Sequence, residues 1–215
     1  MKTKDLKHES AEKHVTGQSV YVNDLVVHRQ LFGRVLYSPV AHAIIRLIDI
    51  SAAIRVKGVA SVLTFQDIPG KNQMGPVVDD ELCLAVDKVT FIGQAIALIA
   101  AETEDAALEA EKQIKLEFEE LEAIVTLEEA IEAGNLITPP RIIECGNAEE
   151  ALKSAPHVLS GQLKTGAQEH WYLETQSALA LPGEGKEMFI HASSQNPSET
   201  QAIVAGVLGI ARNEV

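Results

Sequence analysis

Apolar and polar positions keep short, changing periods along this chain, and the changes mark its elements. Leu31-Phe-Gly-Arg-Val-Leu-Tyr37 reads as a strand that stops at Ser38-Pro39, where proline removes a ladder donor. Ala43-Ile-Ile-Arg-Leu-Ile-Asp-Ile50 alternates only in part, as a mostly buried strand does. Ser51-Ala-Ala-Ile-Arg55 predicts a helical turn capped by Ser51 and ended near Gly58. The β-branched run Val59 to Phe65 predicts another strand, followed by the turn Asp67-Ile-Pro-Gly70 and a loop over Lys71 to Asp80. Gln94-Ala-Ile-Ala-Leu-Ile-Ala-Ala101 is almost continuously apolar, which predicts a central strand buried on both faces. Thr103 is placed to cap a helix from Glu104 to Ile114, with Ala106, Ala107, Ala110 and Ile114 as its apolar stripe. Alternation returns over Lys115 to Glu119, with Leu116 and Phe118 inward. The resulting strand–helix–strand unit predicts helices layered on a sheet.

The second part of the chain has a different texture. Thr126-Leu-Glu-Glu129 is a capping box for a short helix ending at Gly134, and Thr138-Pro-Pro-Arg141 is a stiff extended connector. Asn147 opens a helix over Ala148 to Ser154. After Pro156 the pattern predicts strands at Val158 to Lys164, Gln176 to Leu181 and Met188 to Ala192, with the last hairpin turning at Pro182-Gly183-Glu-Gly185. Ser198-Glu-Thr-Gln201 predicts the cap of a final helix through Leu208. Residues 1–15 are polar and read as a flexible tail. The fold class is α+β, with a boundary near 126–147 between a mixed domain and a β-rich piece.

Composition narrows the classes. A content of 46% hydrophobic and 23% charged residues is that of a soluble globular chain, not a disordered or fibrous one. The net charge of −13 disfavours binding to phosphate backbones or anionic membranes. From Glu102 to Glu132 twelve carboxylates face two lysines and no arginine, but no calcium-loop spacing gathers them, so they read as solvated faces. Cys83 and Cys145 lie far apart among apolar neighbours and read as buried, reduced thiols. The N-terminus has no apolar core of a secretory signal, and no uncharged stretch approaches ~20 apolar residues, so the cytoplasm is the expected location.

Generic catalytic motifs are absent: no dinucleotide or phosphate loop, no nucleophile elbow, no zinc-binding helix. One dense polar-aromatic cluster remains, Gly166-Ala-Gln-Glu-His-Trp-Tyr-Leu-Glu174. It holds the single tryptophan together with Gln168, Glu169, His170 and Glu174. Judged on these residues alone, a strand edge or turn in which Trp171 and Tyr172 bury area explains it better than a site does.

The cluster resembles the G-x-Q-E-H-F-Y-L-E segment of the molybdenum hydroxylases, the xanthine dehydrogenase and aldehyde oxidase family, with Trp171 in place of phenylalanine. Other segments are similar in the same order: Val15 to Asp24; Ser38-Pro-Val-Ala-His42; Ile48-Asp-Ile-Ser-Ala52 with Gly58-Val59; and Asp67-Ile-Pro-Gly70. They continue with Phe91-Ile-Gly-Gln-Ala95, Ala100-Ala-Glu-Thr103, Ser193-Ser-Gln-Asn196 and Val207-Leu-Gly-Ile210. The resemblance runs from Val15 to Val215. It implies a tail over 1–15, an a/b hammerhead domain over 16–125, a linker over 126–146, and the start of a molybdopterin-binding domain over 147–215.

The same resemblance implies a function. Family members hydroxylate an electron-poor carbon of a purine or an aldehyde, with water as the oxygen source and molybdopterin as cofactor. FAD and [2Fe-2S] clusters would sit on partner subunits or domains of a bacterial type of enzyme. Gln168 matches the family glutamine that hydrogen-bonds an oxygen ligand of molybdenum, which makes it the candidate catalytic and cofactor-binding residue. Glu169 and His170 match positions that support it from behind. No metal ligand is expected, and Glu174 does not stand in for the family's glutamate base, whose segment lies later. The resemblance therefore implies an N-terminal portion of a molybdenum subunit, inactive by itself, cofactor-free and able to self-associate through open edges. The form of the cluster favours purine or aldehyde hydroxylation over carbon monoxide oxidation. A stand-alone assembly or binding module is the alternative.

Overall fold

The computed structural model describes residues 8–75, 77–172 and 175–215, and it divides into two compact units. The first comprises the chain up to Glu122 together with 173–215, and the second is Ala123–Tyr172.

In the first unit a short exposed helix, α1 (Ala11–Thr16), is followed by a 3-10 turn at Val22–Asp24. Then come β1 (Phe32–Tyr37), β2 (Ala43–Asp49), β3 (Val59–Leu63), β4 (Lys88–Val89) and β5 (Ala95–Ala101). Helix α2 (Glu104–Gln113) and β6 (Lys115–Glu120) close this stretch. The strands form two antiparallel three-stranded sheets, in the orders β1-β5-β3 and β4-β2-β6. The strand–helix–strand unit β5-α2-β6 is present, but its two strands belong to different sheets. Hydrophobic period marks the longer strands without saying which neighbour each pairs with, and it misses the two-residue β4.

Helix α2 forms where its cap predicts. Thr103 accepts the Ala106 N–H at 3.1 Å, and Glu104 and Asp105 sit in the first turn, where the helix dipole favours them. Its stripe of Ala107, Ala110 and Ile114 packs against Ala97, Ile99 and Ala101 of β5, Val62 of β3, and Ala53. Alanines on both surfaces let helix and sheet approach closely. A second core of Ala43, Ala85, Val89 and Ile96 lies under the other sheet, and Ile48 and Leu116 pack against both. β5 is thus buried on one face along its length, while on the other Ile96 is buried and Leu98 is 39% exposed.

Ser51 is not a helix cap. Its N–H donates to Asp49 at 2.9 Å, and a 3-10 turn at Ala53–Arg55 follows without a side-chain cap. Bonding from Ser51 holds the Asp49 carboxyl below the usual carboxylate range.

Residues 175–215 return to the first unit as a hairpin and a helix. β7 (Ala178–Pro182) and β8 (Met188–Ala192) pair antiparallel, and α5 (Pro197–Leu208) follows, the fifth helix in chain order. Its cap is Asn196, which accepts the Glu199 N–H at 3.2 Å, and not Ser198. Pro197 at the first helical position is the cue that places the start two residues earlier.

The second unit contains α3 (Leu127–Glu132) and α4 (Ala148–Ser154). Both caps form as predicted: Thr126 accepts the Glu129 N–H at 3.2 Å, and Asn147 accepts that of Glu150 at 3.1 Å. The strand expected over Val158 to Lys164 does not form. This stretch is irregular and its apolar side chains are bare, Leu159 fully so at 100% exposure.

Candidate functional site

Gln168, Glu169 and His170 lie in the irregular stretch after α4, and all three are exposed. The His170 N–H donates to Glu169 Oε1 at 3.0 Å, so the Glu169 carboxylate is turned back onto the chain. Trp171 follows with φ of +46°, in the left-handed region that non-glycine residues seldom occupy, and its ring is 87% exposed. Among the described residues nothing hydrogen-bonds the Gln168 carboxamide, which leaves its N–H2 available to an incoming acceptor. Glu174 lies outside the described residues. Among the described residues no group of three or more His, Cys, Asp or Glu side chains is gathered as a metal would need.

Neither helix of the second unit, α3 or α4, buries a residue, and α3 is held by its own cap. The Glu129 carboxylate accepts from the Thr126 and Val125 backbones at 3.2 and 3.3 Å. The Thr126 hydroxyl foremost, and then these backbone bonds, keep its carboxyl below the ordinary glutamate range.

In the first unit, sequence segments far apart meet. Ser38 and the Phe91–Gln94 turn exchange backbone bonds, Ser38 N–H to Gln94 C=O at 2.8 Å and Gly93 N–H to Ser38 C=O at 2.9 Å. Gln94 is buried and accepts the Thr90 N–H at 2.8 Å. The turn Asp67–Gly70 meets the C-terminal end of α5. There the Gly70 and Lys71 N–H groups donate to the Val207 and Gly206 carbonyls at 2.9 and 2.8 Å. Helix-terminal carbonyls that would otherwise lack partners are satisfied by a loop distant in the chain. Sequence reasoning singled out both segments but carried no signal that they touch.

Three cavities of about 400, 630 and 760 Å³ lie in the first unit. The largest is lined by Tyr37, Met74, Cys83, Phe91 and Leu98, among others. Cys83 is partly buried, and burial pushes its thiol up from the ordinary cysteine value. Cys145 is exposed, contrary to the sequence expectation, because its neighbours Ile142 and Ile143 are exposed with it. Iodoacetamide at pH 8 should therefore alkylate Cys145 at least ~10-fold faster than Cys83. Peptide mass spectrometry over a time course reads this, and equal rates would contradict the placement of the two thiols.

The fold and the ordered segments match known proteins. Residues 16–122 match the model of the aldehyde oxidase and xanthine dehydrogenase a/b hammerhead domain, and residues 132–215 match that of the molybdopterin cofactor-binding domain. The chain belongs to the molybdenum hydroxylase family. Xanthine dehydrogenase of Dictyostelium discoideum is 42% identical over 213 residues, 99% of this chain and 16% of that protein. Aldehyde oxidase 1 of Bos taurus is 39% identical over 214 residues, 98% of this chain and again 16% of that protein. The aldehyde oxidoreductase structure from Desulfovibrio gigas superposes with a TM-score of 0.85 at 28% identity, covering 96% of this chain and 25% of that one. The chain thus spans about a sixth of the length of these curated relatives.

Proposed function

We propose that this chain is part of a molybdenum-dependent hydroxylase of purines or aldehydes. The observation that carries the reading is the match of almost the whole chain to xanthine dehydrogenase at 42% identity, with the Gly166 to Glu174 cluster inside it. The layout that goes with it is a tail over 1–15, a hammerhead domain over 16–125, a linker over 126–146 and a molybdopterin-binding portion over 147–215. FAD and [2Fe-2S] groups on partner subunits or domains would carry electrons away, in the cytoplasm.

The residues present fit a second-sphere role toward the cofactor. Gln168 offers a neutral, unpartnered amide donor on an exposed segment, which suits an oxygen acceptor and adds no charge. When bound, the cofactor supplies the two-electron oxidation that no side chain of this segment can perform. Gln168 would hold the group by donation from its amide, while the Glu169 carboxylate would keep the His170 N–H tied to the segment.

Expression of the parent enzyme tests the reading. Molybdenum analysis and turnover of xanthine and of an aromatic aldehyde should give a stoichiometric metal and oxidation of at least one substrate, with neither in the 215-residue chain alone. A parent without molybdenum or turnover would favour an assembly module. Turnover by the isolated chain would overturn the assignment of its site.

A further inference from the structure

Among the described residues the buried polar side chains are Ser38, Thr64 and Gln94. Such groups are ordinarily hydrogen-bonded. The Ser38 hydroxyl donates to the Val40 carbonyl at 2.8 Å and accepts the Val40 N–H at 3.2 Å. The Thr64 hydroxyl donates to Asp67 at 3.2 Å. Gln94, only 7% exposed, is satisfied at one end alone. Its Oε1 accepts the Thr90 N–H at 2.8 Å and the Thr90 hydroxyl at 3.3 Å. A backbone N–H can only donate, so the atom facing it is the oxygen and the other is the NH2 nitrogen, Nε2. Among the described residues nothing accepts from Nε2.

No fully enclosed side-chain nitrogen or oxygen among the described residues lacks a partner. The Gln94 Nε2 must therefore open on a space, and the space that Gln94 borders is the cavity of about 760 Å³. That volume lies within the range of small-molecule sites, roughly 300–1,000 Å³. All of its lining residues belong to the first unit, from Val35 to Leu98 together with Val207, so the cavity is formed within this chain. Tyr37, Phe91 and Leu98 give it apolar wall, and each is partly exposed. Asp80, Glu81, Asp87 and Lys88 line it too and are exposed, which leaves its mouth with three carboxylates against one ammonium.

We propose that this cavity binds a neutral aromatic carbonyl compound, whose oxygen accepts from Gln94 Nε2 and whose ring lies against Tyr37, Phe91 and Leu98. The oxygen is required because a buried donor left unpaired opposes any occupant that cannot accept from it. Neutrality follows from the charges. An anion would meet the three carboxylates at the mouth. A cation would find no acceptor at Gln94, whose Oε1 is already engaged by Thr90. An aromatic body suits walls made of two rings and an aliphatic side chain.

Cys83 lines the same cavity, so its alkylation reports occupancy. The parent enzyme and the 215-residue chain are treated with iodoacetamide, and peptide mass spectrometry follows Cys83. Naphthyl methyl ketone, which has no aldehydic hydrogen to lose, should slow the reaction about tenfold near saturation in both proteins. Isopropylnaphthalene has the same shape without an acceptor, and should require about ten times the concentration. Gln94→Met keeps the side-chain length and deletes the donor, so it should remove the difference between the two compounds. Equal potency of the two compounds in the unaltered protein overturns the proposal without any variant having to fold. A preference for the ketone that survives Gln94→Met overturns it as well. A Cys83 in the parent that is inert, or alkylated at one rate with and without the ketone, overturns it in favour of a cavity filled by the longer polypeptide. Equal slowing of the exposed Cys145 in the isolated chain means general adsorption and also overturns it.

Discussion

Replacing Gly70 with valine should detach α5 from the hammerhead domain. A Cβ at Gly70 would lie 2.6 Å from Gly209 N and 2.8 Å from the Val207 carbonyl oxygen, and would collide with the Gly206 carbonyl oxygen as well. These are backbone atoms, which cannot swing aside as a long side chain can. The bonds from Gly70 and Lys71 to the helix end would be lost with the contact. Overpacking together with two broken cap bonds should cost about 3 kcal/mol or more. For a chain of this size that is a fall of roughly 10 °C in the thermal midpoint. Gly33→Val is the control, since a Cβ there meets nothing within 4 Å. Calorimetry or thermal circular dichroism should show Gly33→Val near the parent midpoint and Gly70→Val well below it. Equal midpoints for Gly70→Val and the unaltered chain would refute the junction.

The second large effect is expected at Gln168, in the parent enzyme. If its amide donates to the bound cofactor, Gln168→Ala should lower kcat about a hundredfold while molybdenum and pterin contents stay near stoichiometric. Gln168→Glu should fall comparably, because an ionised carboxylate accepts hydrogen bonds and cannot donate them. Glu169→Gln, which keeps an oxygen for the His170 N–H, should change kcat far less. Steady-state turnover on xanthine and an aromatic aldehyde, paired with metal analysis, reads these separately. Unchanged kcat in Gln168→Ala sinks the assignment, and lost molybdenum at unchanged kcat per metal points to a holding role instead.

Where local chemistry decides the outcome, the structure is legible in the residues. Thr103, Thr126 and Asn147 each cap the helix their spacing predicts, because a cap is a bond between residues three apart. β5 announces itself by length and apolarity. Legibility fails where a partner decides. Leu159 and Leu163 alternate as in a strand, yet no strand forms, since a strand needs a neighbour that the pattern cannot supply. Ile142 and Ile143 make Cys145 look buried in sequence and are themselves exposed. Gln168 is a candidate only through resemblance to a family. Among its own neighbours it is one polar residue on an irregular, solvent-facing stretch, with no perturbed charge or enclosed pocket to mark it.

The junction of Gly70 with the end of α5 also has an order in time. A ribosome presents the Asp67–Gly70 turn long before Val207, and at ordinary elongation rates the wait is on the order of ten seconds. During that interval the hammerhead sheets can form, but the Gly70 and Lys71 amides have only water to bond. When α5 emerges, its receptor already stands ready, and docking becomes a capture step rather than a joint search. Substitutions in this turn should therefore show themselves late in synthesis, as nascent chains that acquire the first domain normally and then fail to protect the last helix from protease.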